Sequence, residues 1–195
     1  MLLKQRSVYE PCPIVPTNQI SIDWHTGHII YDTPGAALFC GFFAQYPSKK
    51  GVRFNNGISL KKVTIKNDKG IPYPVADDEK YVTFGVVSTD GKPLSETKHA
   101  LMSIQSTSFN SGFKVDASKI KHDWFWSKGA HPNGTGELPV LFARAKAEIK
   151  ATPLKGMSYT MYDWHYEVLK TGKIDSDSFT IPNDIPVFMI ELKRG

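Results

Sequence analysis

Aromatic residues make up 12% of this chain, and many of them stand beside polar side chains in two groups. The first is His122-Asp123-Trp124-Phe125-Trp126. The second is Tyr159, Tyr162, Trp164, His165 and Tyr166. A flat ring at a surface stacks on the C–H face of a sugar, while neighbouring Asp, Asn, Lys or His side chains bond the hydroxyls. The candidate carbohydrate-binding residues are therefore His122, Asp123, Trp124, Trp126, Tyr162, Trp164 and Tyr166. Rings in β-proteins also serve as core packing, so both roles stand open at each position. If Trp124-Phe125-Trp126 is a strand, alternation puts Phe125 on the face opposite the two tryptophans.

Carboxylates near these rings raise a second chemistry. Hydrolysis of a glycosidic bond needs two carboxyl groups about 5–10 Å apart across a cleft. Asp123, Glu137, Asp163 and Glu167 are the candidates, and an enzyme would use Asp123 or Glu137. On an extended strand Asp163 and Glu167 stand roughly 13 Å apart between Cα atoms, too far for a retaining pair. The six histidines are scattered, with no spacing that gathers metal ligands. No cofactor is indicated. Structural calcium could use the oxygens of Asp77-Asp78-Glu79 or Asp175-Ser176-Asp177, but no EF-hand spacing occurs. No GxSxG, P-loop or GxGxxG is present, so neither a hydrolase elbow nor a nucleotide cradle is indicated.

The elements that must position these groups read as strands. Tyr81 to Val87 sets Val82, Phe84 and Val86 on one face. From Pro139 to Lys150 one parity reads Leu141, Ala143, Ala145, Ala147, Ile149, and the other turns from Val140 and Phe142 to Arg144, Lys146, Glu148. Thr160 to Val168 alternates Tyr162, Trp164, Tyr166 against Asp163, His165, Glu167. Phe188, Ile190 and Leu192 share a face near the end. Such alternation marks strands with one wet side. Turn signals separate them: Asn55-Asn56-Gly57, Asp90-Gly91, Asn110-Ser111-Gly112, Asn133-Gly134 and Thr171-Gly172. The fold class is all-β: a two-sheet antiparallel sandwich, jelly-roll-like, of about ten strands. Residues 1–19, with Pro11, Pro13 and Pro16, read as an extended lead-in to a single domain over 20–195.

Composition bounds the partners. The 195 residues suit one domain able to bury its own core. Net charge is +5, from 24 basic and 19 acidic residues, and the basic ones are dispersed as pairs such as Lys49-Lys50 and Lys193-Arg194. Nucleic-acid readers concentrate such residues, so no nucleic-acid partner is expected. No stretch approaches 18 apolar residues, so no membrane span is expected, and the first residues lack the apolar core of a secretory signal. Cys12 and Cys40 form no CxxC, and two free thiols, with Cys40 buried, is the simplest reading.

Four segments carry a resemblance. They are Asp23-Trp24-His25-Thr26-Gly27-His28-Ile29-Ile30-Tyr31-Asp32-Thr33-Pro34, then Val82 to Val87 with Ser88-Thr89-Asp90-Gly91-Lys92-Pro93-Leu94. Lys98 to Met102 running into Ser108 to Phe113, and Leu138 to Ala143, complete the set. In this order they resemble the C-terminal β-sandwich domain of large multidomain bacterial glycoside hydrolases. The resemblance spans roughly Gln19 to the end, and its motifs are structural rather than catalytic. In that family the catalytic carboxylates lie in a separate barrel, so no catalytic residue is expected here. Residues Lys121 to Gly136 stand out as an elaborated loop. The resemblance implies a non-catalytic accessory module of glycan-degrading machinery, either carbohydrate-binding or buttressing a catalytic domain. It implies polysaccharide or oligosaccharide and a glycoside hydrolase catalytic domain as partners, and an extracellular or periplasmic setting. A stand-alone lectin-like protein is the alternative binding module.

Overall fold

The computed structural model describes residues 19–23, 28–43, 51–66, 81–112, 114–115, 121–123, 127–129, 132–134 and 136–195. The expected lead-in over 1–19 falls outside them except for Gln19. In chain order the strands are β1 (Ile20–Asp23), β2 (His28–Thr33), β3 (Ala36–Phe42), β4 (Val52–Arg53), β5 (Ile58–Lys66) and β6 (Tyr81–Ser88). They continue with β7 (His99–Gln105), β8 (Ser108–Ser111), β9 (Lys114–Val115), β10 (Lys121–Asp123), β11 (Ser127–Gly129) and β12 (Pro132–Gly134). The last are β13 (Glu137–Phe142), β14 (Arg144–Ala151), β15 (Ser158–Tyr162), β16 (Val168–Lys173), β17 (Ser178–Ile181) and β18 (Met189–Lys193).

Two antiparallel sheets pack face to face, as the alternation requires. One has eight strands in the order β1-β2-β3-β6-β7-β18-β15-β16, and the other has four, β17-β14-β5-β4. Three two-stranded ribbons, β8-β13, β9-β12 and β10-β11, stand apart from them. Among the described residues the two sheets hold twelve strands against the roughly ten expected, because short edge strands such as β1, β4 and β17 escape a reading based on long apolar alternation. Among the described residues no helix is long and apolar enough to cross a membrane.

The inward parity of both sheets makes one core. Phe39, Phe84, Met102, Met161 and Leu192 come from the large sheet; Ile58, Leu60, Ala147, Ile149 and Ile181 come from the small one. Two ring pairs bridge the sheets: Phe54 lies 6.3 Å from Phe84, and Tyr159 meets Phe179 edge-on at 5.2 Å. Small buried alanines on β14 stand beside larger buried side chains on β5, Ala147 opposite Val63 and Ala151 opposite Ile58.

The segments behind the resemblance act as clasps. Asp32 Oδ2 accepts the Asn55 backbone N–H at 2.8 Å, and Asn56 Nδ2 donates to the Thr33 and Ala36 carbonyls, so the β4–β5 turn is pinned to the β2–β3 turn. Asp90 accepts from the Ser88 and Thr97 hydroxyls and from the backbone N–H groups of Lys92 and Lys98. These bonds shape the loop that drops the fully buried Leu94 into the core and hold the Asp90 carboxyl well below the usual carboxylate range.

Several local expectations change. The long strand expected from Pro139 to Lys150 is broken at Ala143, where β13 leaves to pair with β8 and β14 joins the small sheet. Thr171-Gly172 lies inside β16 rather than at a turn. A Cβ at Gly172 would sit 2.5 Å from the Tyr159 hydroxyl oxygen, so the glycine is there to receive that ring. Asn133-Gly134 lies in β12. Arg194 is more than part of a solvated basic pair: its guanidinium donates to the carbonyls of Thr97, Pro153 and Lys155. Cys40 is half-buried, its sulfur 2.9 Å from the Tyr81 hydroxyl; Cys12 lies outside the described residues.

Candidate functional site

The second aromatic group is split by a hairpin. The strand expected from Thr160 to Val168 ends at Tyr162, and residues 163–167 turn the chain into β16. Asp163 makes the turn. Its Oδ1 accepts the backbone N–H groups of His165 at 2.8 Å and Glu167 at 2.9 Å, an Asx-type arrangement that competes with continued pairing. The Asp163 N–H donates to the Glu167 carbonyl at 3.1 Å, so the two residues face each other across the loop instead of standing an extended strand apart. Asp163 is occupied as a turn former. Tyr166 takes φ 63°, a left-handed conformation disfavoured for a residue with a Cβ, and the Asp163 bonds hold it there.

This hairpin presents Trp164, 61% exposed, at the rim of a cleft of about 380 Å³. Phe142 from β13 stacks near-parallel to the indole at 6.1 Å, and Phe188 meets it edge-on at 5.2 Å. Asp163, His165, Arg144 and Gln105 are the polar residues of a lining otherwise made of aromatic, aliphatic and proline side chains. Arg144 donates to the Asp184 carbonyl at 3.1 Å, and Gln105 to the Phe188 carbonyl at 3.2 Å, which fixes two walls of the cleft. A rigid indole face with hydrogen-bonding groups beside it is the arrangement a sugar ring uses.

The other candidates are dispersed. Tyr166 stands exposed on the same hairpin but does not line the cleft. Tyr162 points to the outer face of the large sheet and donates to Glu191 Oε2 at 3.2 Å. His122 and Asp123 have their backbone in β10, paired with β11, and their side chains lie outside the described residues, as do Trp124 and Trp126. Glu137 opens β13 opposite Ser111 and is exposed. Among the described residues no three His, Cys, Asp or Glu side chains gather as a metal site. Asp77-Asp78-Glu79 lies outside them, and Asp177 of the other proposed calcium loop pairs with Lys155 at 3.6 Å.

Phe142, Phe188, Arg144 and Gln105 were missed as site residues. The signal for Phe142 was its place, with Val140, on a parity that otherwise turns polar. Both are exposed, Phe142 at 52%.

A hydroxyl–imidazole–carboxylate array occupies the outer face nearby. His99 Nε2 lies 2.8 Å from Glu191 Oε1, and the Thr89 hydroxyl contacts His99 Nδ1. Glu191 Oε2 also receives Lys193 at 3.0 Å; together these partners, His99 foremost, lower the Glu191 pKa. The Thr89 hydroxyl lies as well 3.1 Å from the His99 carbonyl oxygen, and the Asp90 carboxylate is the next residue. An anion placed there opposes the oxyanion that acyl transfer develops, so the array reads as a strand-joining network.

A second cavity of about 590 Å³ opens on that same outer face, between β2 and β18. It shares Gln105 and Phe188 with the Trp164 cleft.

Comparison with protein-family models, with curated proteins and with solved structures found no match for this chain.

Proposed function

We propose that this chain is a non-catalytic accessory module of glycan-degrading machinery that binds polysaccharide or oligosaccharide, with Trp164 as its stacking platform. One observation carries the reading: an exposed indole, braced by Phe142 and Phe188 and held by the Asp163 turn, faces a cleft with polar groups in its lining. The resemblance of the Asp32-Thr33-Pro34 and Ser88-to-Leu94 segments to the sandwich domain of glycoside hydrolases supports the same class and a catalytic domain as neighbour. Tyr166, on the same hairpin, and the His122, Asp123, Trp124, Trp126 group are the proposed further contacts.

The test is retention in polyacrylamide gels cast with a panel of plant and algal polysaccharides. Trp164→Ala is expected to lose about 1–3 kcal/mol of affinity for the retaining glycan. Its melting temperature should move little, because most of the indole is already in water. Trp124→Ala and Trp126→Ala belong in the same gels. A parent protein that no glycan retards, or equal retention of the Trp164→Ala variant, defeats the proposal.

A further inference from the structure

The floor of the outer-face cavity is set by strand register. Tyr31, Leu38, Gly85 and Ser103 lie side by side across β2, β3, β6 and β7. Gly85 sits in the interior of a central strand, where a glycine costs stability and packs nothing. No geometry demands it. Its backbone is not in the left-handed region, and an added Cβ would meet only Leu38 Cδ1, at an ordinary 3.9 Å. A glycine inside a strand often marks a bulge, a tight bend or a close approach of another group to the backbone, and the pairing of β6 with β3 and β7 runs through Gly85 without a register shift.

The walls say what kind of group that is. Leu38, Val87, Leu101 and Met189 are aliphatic, and Val87 is 46% exposed. Gln105, a polar group of the lining, belongs also to the Trp164 cleft. The lining of the cavity, about five strands wide and five residues tall, covers roughly 400 Å² by strand spacing and rise. The cavity volume of about 590 Å³ falls inside the range of roughly 300–1,000 Å³ typical of small-molecule sites.

We infer that this groove takes an alkyl or acyl substituent of the glycan whose sugar rests on Trp164, so that the ligand is an amphiphilic glycan. The inference rests on the carbohydrate-binding reading. Its sugar end lies against Trp164, its link passes Phe188 and Gln105, and its apolar chain runs over Gly85.

Methyl, butyl and octyl β-glucosides and β-galactosides, each below its micellar concentration, test it by calorimetric titration of the full chain. Affinity is expected to rise about fourfold for each methylene that enters the groove. Gly85→Leu, which fills the floor, and Val87→Lys, which charges the mouth, should each cancel the gain with chain length and leave retention on polysaccharide unchanged. Two variants are used so that a folding defect in one does not decide the result. Affinity independent of chain length overturns the inference and leaves the carbohydrate reading intact, as does a length gain that survives both substitutions. Octanol binding as tightly as the octyl glycosides also overturns it, since the groove would then serve a free chain. If Trp164→Ala leaves every glycoside affinity unchanged and no polysaccharide is retained, the carbohydrate reading itself has failed, and the inference falls with it.

Discussion

Two carboxylates show how much of this fold is held by charge on single residues. Asp90 and Glu191 collect donors in the folded chain, and both lie below their usual range. A depressed carboxyl favours folding wherever the unfolded chain would bind the proton and the folded chain would not. That contribution is fully present above the ordinary carboxylate values and drains away as pH falls below about 4. Urea midpoints should therefore be flat above about pH 5 and fall at lower pH. Asp90→Asn should lower the midpoint at pH 7 and make the acid decline shallower; an unchanged acid slope would remove Asp90 from the account. Arg194 gives a second case. Its three carbonyl partners need the planar fork of a guanidinium, which an ammonium does not reproduce. Arg194→Lys is expected to cost about 1–3 kcal/mol in chemical denaturation, although the charge is kept. Composition gave no hint of this role, because a count of basic residues does not say which ones meet backbone carbonyls.

At the scale of elements, alternation was legible wherever a strand has one dry face. Val82, Phe84 and Val86 in β6 and Ala145, Ala147 and Ile149 in β14 are buried as their spacing requires. It failed where a side chain competes with the ladder. Tyr162, Trp164 and Tyr166 keep a period of two through the β15–β16 hairpin, yet the Asp163 carboxylate takes two backbone donors and ends the strand. An alternating pattern carries no trace of that competition. The glycine of Thr171-Gly172 misled for the opposite reason: it marks space for a ring rather than a turn. Gly172→Val should drive the Tyr159 ring away from Phe179 and cost about 1–3 kcal/mol by overpacking, read as a shift in denaturation midpoint. An unchanged midpoint would mean that β16, an edge of its sheet, yields without loss. The site was half legible. Trp164 was named from its type and neighbours, whereas Phe142 reaches it from β13 and Phe188 from the residue before β18, a proximity that only the fold creates.

For the whole molecule the two sheets differ in what each strand has to lose. β6 and β7 are paired on both sides and packed on the core, so their amides should exchange most slowly. β1, an edge with Ile20 61% exposed, should exchange fastest within the large sheet. Hydrogen exchange resolved by mass spectrometry reads that order directly; equal protection of β1 and β6 would contradict it. The same sheet has a consequence for biosynthesis. β18 follows the other described strands in sequence, yet it lies between β7 and β15, inside the large sheet. During translation at about 5–20 residues per second, the roughly 80 residues separating β7 from β18 leave the ribosome several seconds behind β7. Through that interval the first five strands of the sheet have only each other, and β7 offers an open row of backbone donors and acceptors to any passing chain. The nascent sheet is thus most adhesive just before β18 emerges, and that one late strand turns two unfinished halves into a single sheet.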